Sequence, residues 1–103
     1  MKWFLFPNDT SLNIFNKIRG LSLEPGAYGI INNTSIKVYS SIIKDYNGSE
    51  KPGTVLSLKK EILVKTLDGA ISLVDIKPEG KQMMKSQSFV NGQKIINVFD
   101  LFI

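Results

Sequence analysis

The 103-residue sequence has no cysteine and no histidine, and its only arginine is Arg19. Without cysteine there is no disulfide framework, no thiolate zinc site, no iron–sulfur cluster and no thiol nucleophile. Without histidine the commonest general base and the commonest metal ligand are missing, so a hydrolase, transferase or deaminase centre would need unusual chemistry. Long apolar runs are also lacking. The stretch from Trp3 to Phe6 stops at Pro7, short of the roughly 7–15 apolar residues of a secretory signal and the about 20 of a membrane span. The expectation is a soluble, cytoplasmic protein without a membrane partner. There is no GxGxxG fingerprint and no glycine-rich run ending in Gly-Lys-Ser or Gly-Lys-Thr, since Gly80-Lys81 stands alone, so no phosphate-loop signature is present.

What the chain does have is an ordinary globular balance, 43% hydrophobic and 21% charged, which suits one compact domain over 1–103. Asn8, Asp9, Thr10 and Ser11 are helix-capping types, and Leu12, Ile14, Phe15, Ile18 and Leu21 then recur at helical spacing, with Lys17 and Arg19 near the far end. This predicts a lead-in and amphipathic helix over 1–24. A barrel with a short helical turn is expected over 25–94, and an apolar tail over 95–103.

Five strand candidates follow the helix, at 27–32, 35–44, 53–58, 62–66 and 70–76. In the second, Ile36, Val38 and Ile42 alternate with Lys37, Tyr39 and Ser41, which places the first set inward and the second outward. In the fifth, the apolar parity switches from Ile71 and Leu73 to Val74 and Ile76, the pattern of a strand that bends, bulges or is covered on both faces. Asn32-Asn33 and Asp68-Gly69 read as hairpin pairs that tolerate positive φ, and 45–52 as a longer polar loop. No crossover helix separates the strands, so neighbours should be antiparallel. The expected fold is mainly β, a five-stranded OB-fold-like antiparallel barrel preceded by an N-terminal helix, with a sandwich as the alternative. Residues 86–90 suggest a helical turn ended by Asn91-Gly92. The 94–103 segment is apolar on both alternations and should pack on the barrel or against a partner.

The acids fall at caps, turns and strand ends, and periodicity forces no two of them together, so no carboxylate dyad or oxygen-ligand metal site is expected. The nearest approach is Asp45 to Glu50, which lacks the flanking helices and the twelfth-position Glu of a calcium loop. No catalytic residue, metal ligand or cofactor is assigned to this chain. Charge is more informative. The net charge is +4, and from Lys77 to Lys94 four lysines face one acid, a balance that suits an anionic polymer because neutralised phosphates release counterions. Tyr39, beside Lys37 on the outward alternation, is the best stacking candidate.

Several strings then read together. They are Asn16-Lys17-Ile18-Arg19-Gly20-Leu21, Pro25-Gly26-Ala27-Tyr28, Lys51-Pro52-Gly53-Thr54-Val55-Leu56, Asp68-Gly69-Ala70, Pro78-Glu79-Gly80-Lys81-Gln82-Met83 and Phe89-Val90-Asn91-Gly92. In this order and spacing, from about Trp3 to about Gly92, the chain resembles the C-terminal domain of methionyl-tRNA formyltransferase. The resemblance implies a barrel that binds initiator tRNA through a basic surface. It also implies that catalysis belongs to a separate domain, dependent on 10-formyltetrahydrofolate, that nothing here matches. The lysines nominated as phosphate contacts are Lys37, Lys51, Lys59, Lys60, Lys65, Lys81 and Lys85, with Arg19 and Tyr39 beside them. One departure is Leu23-Glu24-Pro25-Gly26, where the family commonly carries Pro-Trp-Pro-Gly. The alternatives are an accessory or oligomerisation domain of a sugar-nucleotide N-formyltransferase and a generic single-strand-binding OB module.

Overall fold

The computed structural model describes residues 3–6, 9–20, 26–93 and 95–103. The expectations placed on Asn8, Leu21, the 23–25 lead-in and Lys94 lie outside the described residues, as do those on the side chains of Trp3 and Phe4. The elements run β1 (Trp3–Phe4), α1 (Ser11–Gly20), β2 (Ala27–Ile31), β3 (Thr34–Lys44), β4 (Val55–Ser57), β5 (Ile62–Lys65), β6 (Ala70–Pro78), β7 (Met84–Lys85) and α2 (Ser86–Val90). The expected mainly β architecture with a leading helix is present, its five principal strands curled into an antiparallel half-barrel.

Helix α1 starts where Thr10 caps it: Thr10 Oγ1 accepts the Asn13 amide at 3.2 Å and the Thr10 carbonyl accepts the Ile14 amide at 3.0 Å. Ile14 and Ile18, one turn apart, are buried, whereas Leu12, counted in the apolar stripe, is exposed. One turn of 3.6 residues moves Leu12 well away from the line through Ile14 and Ile18.

The sheet follows the order β1-β2-β3-β6-β5-β4, with β7 also paired to β6. Asn32 and Asn33, with φ of 50° and 63°, form the two-residue turn between β2 and β3. Strands β3 and β6 make the longest pairing. Ile36, Lys37 and Val38 face Pro78, Lys77 and Ile76, after which Ser40 faces Asp75 and Ser41 faces Leu73, leaving Tyr39 and Val74 unpaired as bulges. A bulge moves every later side chain to the other face. Burial in β6 accordingly passes from Ile71 and Leu73 to Ile76 and Pro78, as the parity switch predicts. The partner bulge has the same effect in β3 and corrects one expectation, because Ile42 points outward and is 51% exposed.

The Asp68-Gly69 pair does not take the positive-φ geometry expected of it. Instead the 66–69 loop is closed by the Thr66 amide on the Gly69 carbonyl and the Gly69 amide on Thr66 Oγ1, both at 3.0 Å. Asp68 is turned to the helix, its Oδ1 accepting the Ser11 amide at 2.9 Å, where a negative charge is favoured. Ser11 Oγ and Thr66 Oγ1 share a buried hydrogen bond of 2.6 Å. Together these contacts fasten the start of the helix to the β5–β6 hairpin.

The tail packs on the barrel, one of its two expected fates. The Phe99 amide donates to the Val55 carbonyl at 2.7 Å, and the Val55 amide donates to Asp100 at 2.8 Å. The Phe102 amide reaches Gly53 and the Ile103 amide reaches Ile30, each at 2.8 Å. The tail thus spans the gap between β4, at one end of the sheet, and β2. Asn32 secures it from the hairpin, donating to the Ile95 carbonyl and to Asp100 Oδ2 at 2.8 Å each. Among the described residues no helix is long and apolar enough to cross a membrane.

Candidate nucleic-acid interface

The alternation that buries Ile36 and Val38 in β3, and Ile76 and Pro78 in β6, turns Lys37 and Lys77 to the outer face. Lys37 stands directly opposite Lys77 on one side and Tyr28 on the other, so one row across β2, β3 and β6 reads Tyr28, Lys37, Lys77. At the next position Lys85 of β7 faces Asp75 of β6. Their charged atoms are 2.7 Å apart, and Asp75 Oδ2 also accepts the Ser40 hydroxyl at 2.6 Å. The Asp75 amide donates back to Ser40 Oγ at 3.2 Å. This reciprocal pair sits between the two bulges and holds the carboxylate that steadies Lys85.

The other nominated residues are more scattered. Lys59 and Lys60 are exposed in the β4–β5 turn, Lys51 is exposed before β4, and Lys81 is exposed in the turn between β6 and β7. Arg19 and the half-buried Tyr39 line a small groove of about 160 Å³ together with Phe15 and Ile18, so Tyr39 is flanked by the helix. Lys65 does not share the outer surface with the rest. It is 5% exposed, with its ammonium on the Thr66 carbonyl at 2.5 Å. Lys77, not among the nominated residues, ends the row on β6, directly opposite the central Lys37. Its signal is the alternation of Ile76, Lys77 and Pro78, which continues β6 beyond the expected end at Ile76.

Several carboxylates are held below their ordinary range. The Lys85 ammonium and then the Ser40 hydroxyl lower Asp75, the Ser11 amide chiefly lowers Asp68, and the Asn97 amide followed by Asn32 lowers Asp100. For Asp9, burial works upward, but hydrogen bonds from Lys17, Asn13 and Thr10 outweigh it and the net direction is down. A carboxylate lowered on folding adds stability above its unfolded pKa, and that stability is lost as pH falls through the folded value. The urea midpoint is therefore expected to hold steady from pH 8 to 5, where no histidine titrates, and to fall below about pH 4. Asp68→Asn should flatten the acid limb in circular-dichroism titrations. An unchanged limb would mean that Asp68 contributes nothing to it.

The described residues offer no group of three or more acidic side chains placed to hold a metal ion. The sequence of this helix-led β half-barrel matches a known class of domain. The family described as formyl transferase, C-terminal domain, matches residues 3–94, and the chain belongs to that family. It is similar to the methionyl-tRNA formyltransferase of Mycoplasma mycoides subsp. mycoides SC, with 42% identity over 100 residues covering 92% of this chain and 32% of the relative. The methionyl-tRNA formyltransferase of Streptococcus pneumoniae is 38% identical over 86 residues, covering 82% and 27%. That of Thermodesulfovibrio yellowstonii is 32% identical over 95 residues, covering 92% and 30%. The chain spans about a third of the length of these relatives.

Proposed function

We propose that this chain is the tRNA-binding module of a methionyl-tRNA formyltransferase. In this reading it positions initiator Met-tRNA for N-formylation by a separate 10-formyltetrahydrofolate-dependent catalytic domain, binds no cofactor itself and works in the cytoplasm. The observation that carries the reading is the 42% identity to a methionyl-tRNA formyltransferase across 92% of the chain. The outer-face row of Lys37 and Lys77, with Lys85 beside it, supports it, because such a surface attracts a phosphate backbone without reading base sequence. The chain's lack of histidine also fits a positioning role better than a chemical one.

The test is fluorescence titration of labelled initiator tRNA with the chain at 50 and 200 mM salt. Binding at the lower salt should weaken by at least about tenfold at the higher, since each neutralised phosphate adds close to one unit to the logarithmic salt slope. A chain that binds tRNA no better than a neutral polymer would overturn the proposal. A clear preference for unstructured single strands would replace it with the single-strand-binding alternative.

A further inference from the structure

We propose that Lys37 and Lys77 form a clamp for a single backbone phosphate of RNA, an inference that rests on the tRNA-binding reading. The two residues are direct partners across the β3–β6 ladder on the outer face, a relation that brings Cβ atoms to about 5 Å. From there both ammonium groups reach one anion. Like charges directly opposite each other destabilise a sheet, so the pair carries a standing repulsion that an anion between the two ammoniums reverses.

Neighbouring acids do not remove that repulsion. Asp75 and Glu79 lie two residues either side of Lys77 on the same alternation, but both are engaged elsewhere. Asp75 is held by Lys85 and Ser40, and Glu79 Oε1 accepts the Ser35 amide at 3.1 Å. Among the described residues neither Lys37 nor Lys77 has an ion pair. Lys59 and Lys60 differ in kind. They are consecutive residues of a turn, and no ladder aims both at one anion.

The experiment compares the whole chain with Lys37→Gln/Lys77→Gln and with Lys59→Gln/Lys60→Gln, which removes the same charge. In tRNA titrations the clamp variant should lose about one unit of salt slope and about tenfold in affinity at 50 mM salt, the turn variant less than half of either. Equal losses in the two variants, with wild-type binding intact, overturn the clamp and leave the tRNA reading standing. A second arm uses inorganic phosphate against chloride at matched ionic strength. Phosphate should raise the urea midpoint of the wild type and not that of the single variant Lys77→Gln, and an equal rise in both overturns the clamp. If the wild type responds to phosphate in this way but fails to bind tRNA, the functional reading falls, and with it the assignment of the anion to RNA.

Discussion

Replacing Phe102 by alanine is expected to lower the stability of the domain by about 3–5 kcal/mol, a large share of the about 5–15 kcal/mol that holds a typical domain together. Phe102 lies one residue from the last yet is fully buried. Its ring meets that of Phe6 at 4.9 Å between centroids and a tilt of 33°, and its amide bonds Gly53. On the remaining side it lies against Gly29, where a Cβ would come to 2.7 Å from Phe102 Cδ1 and 3.2 Å from Phe6 Cδ2. The absent side chain at Gly29 is what admits the ring. Gly29→Ala should therefore overpack the site at a cost of about 1–3 kcal/mol. In the Phe102→Ala background the same methyl enters the vacated space, so the two changes should be strongly non-additive. Urea unfolding of the four-member cycle measures this. Additive losses would show that the ring and the glycine do not share one site.

The consequence extends beyond one ring. Strand β4 ends the sheet path, and an uncovered edge strand exposes unpaired amides and carbonyls. The tail supplies partners at Val55 and Gly53 of that region and at Ile30 of β2. Loss of Phe102 thus loosens the piece that covers the gap in the half-barrel, and the residues of the outer face depend on the curvature of the same sheet.

Much of this fold was legible because its elements obey simple periods. The bounds of α2 and the places of the five principal strands follow from alternation and turn residues, although β6 runs on to Pro78 and β4 is confined to Val55–Ser57, and Asn32-Asn33 marks its hairpin because both residues accept positive φ. Bulges were visible in only one strand. The apolar switch at Val74 announces the one in β6, but β3 carries Ser40 and Ser41 at the matching point, and two serines give no parity signal, so simple alternation assigns Ile42 to the inner face although it is exposed. The minimal strands β1 and β7 fall below any period. They exist because longer neighbours offer an edge, a tertiary fact with no local signature. At the candidate site the same limit applies. Lys37 was legible from its own strand, whereas its pairing with Lys77 depends on the register between strands 40 residues apart in the chain.

Lys65→Met is expected to cost about 1.5–3 kcal/mol, the worth of a hydrogen bond made by a charged group, while leaving the salt slope of tRNA binding unchanged. Lys65 follows Ile62 and Val64, so alternation points it outward, which is why its residue type suggested a phosphate contact. The 45–52 loop, tied by Tyr46 Oη donating to Glu50 Oε2 at 2.6 Å, leads into the segment that covers it. The Gly53 amide bonds the Lys65 carbonyl and the Lys65 amide bonds the Thr54 carbonyl, each at 2.8 Å. The buried ammonium then serves the Thr66 carbonyl. Its charge also helps lower Glu50, after the larger contribution from the Tyr46 hydroxyl. Methionine keeps the apolar stem and the packing but removes the donor and the charge. Stability should fall and RNA binding should persist, the reverse of the clamp variant, in which binding falls and relief of like-charge repulsion keeps the fold. A Lys65→Met chain that folds as firmly as wild type but loses a unit of salt slope would return Lys65 to the binding surface.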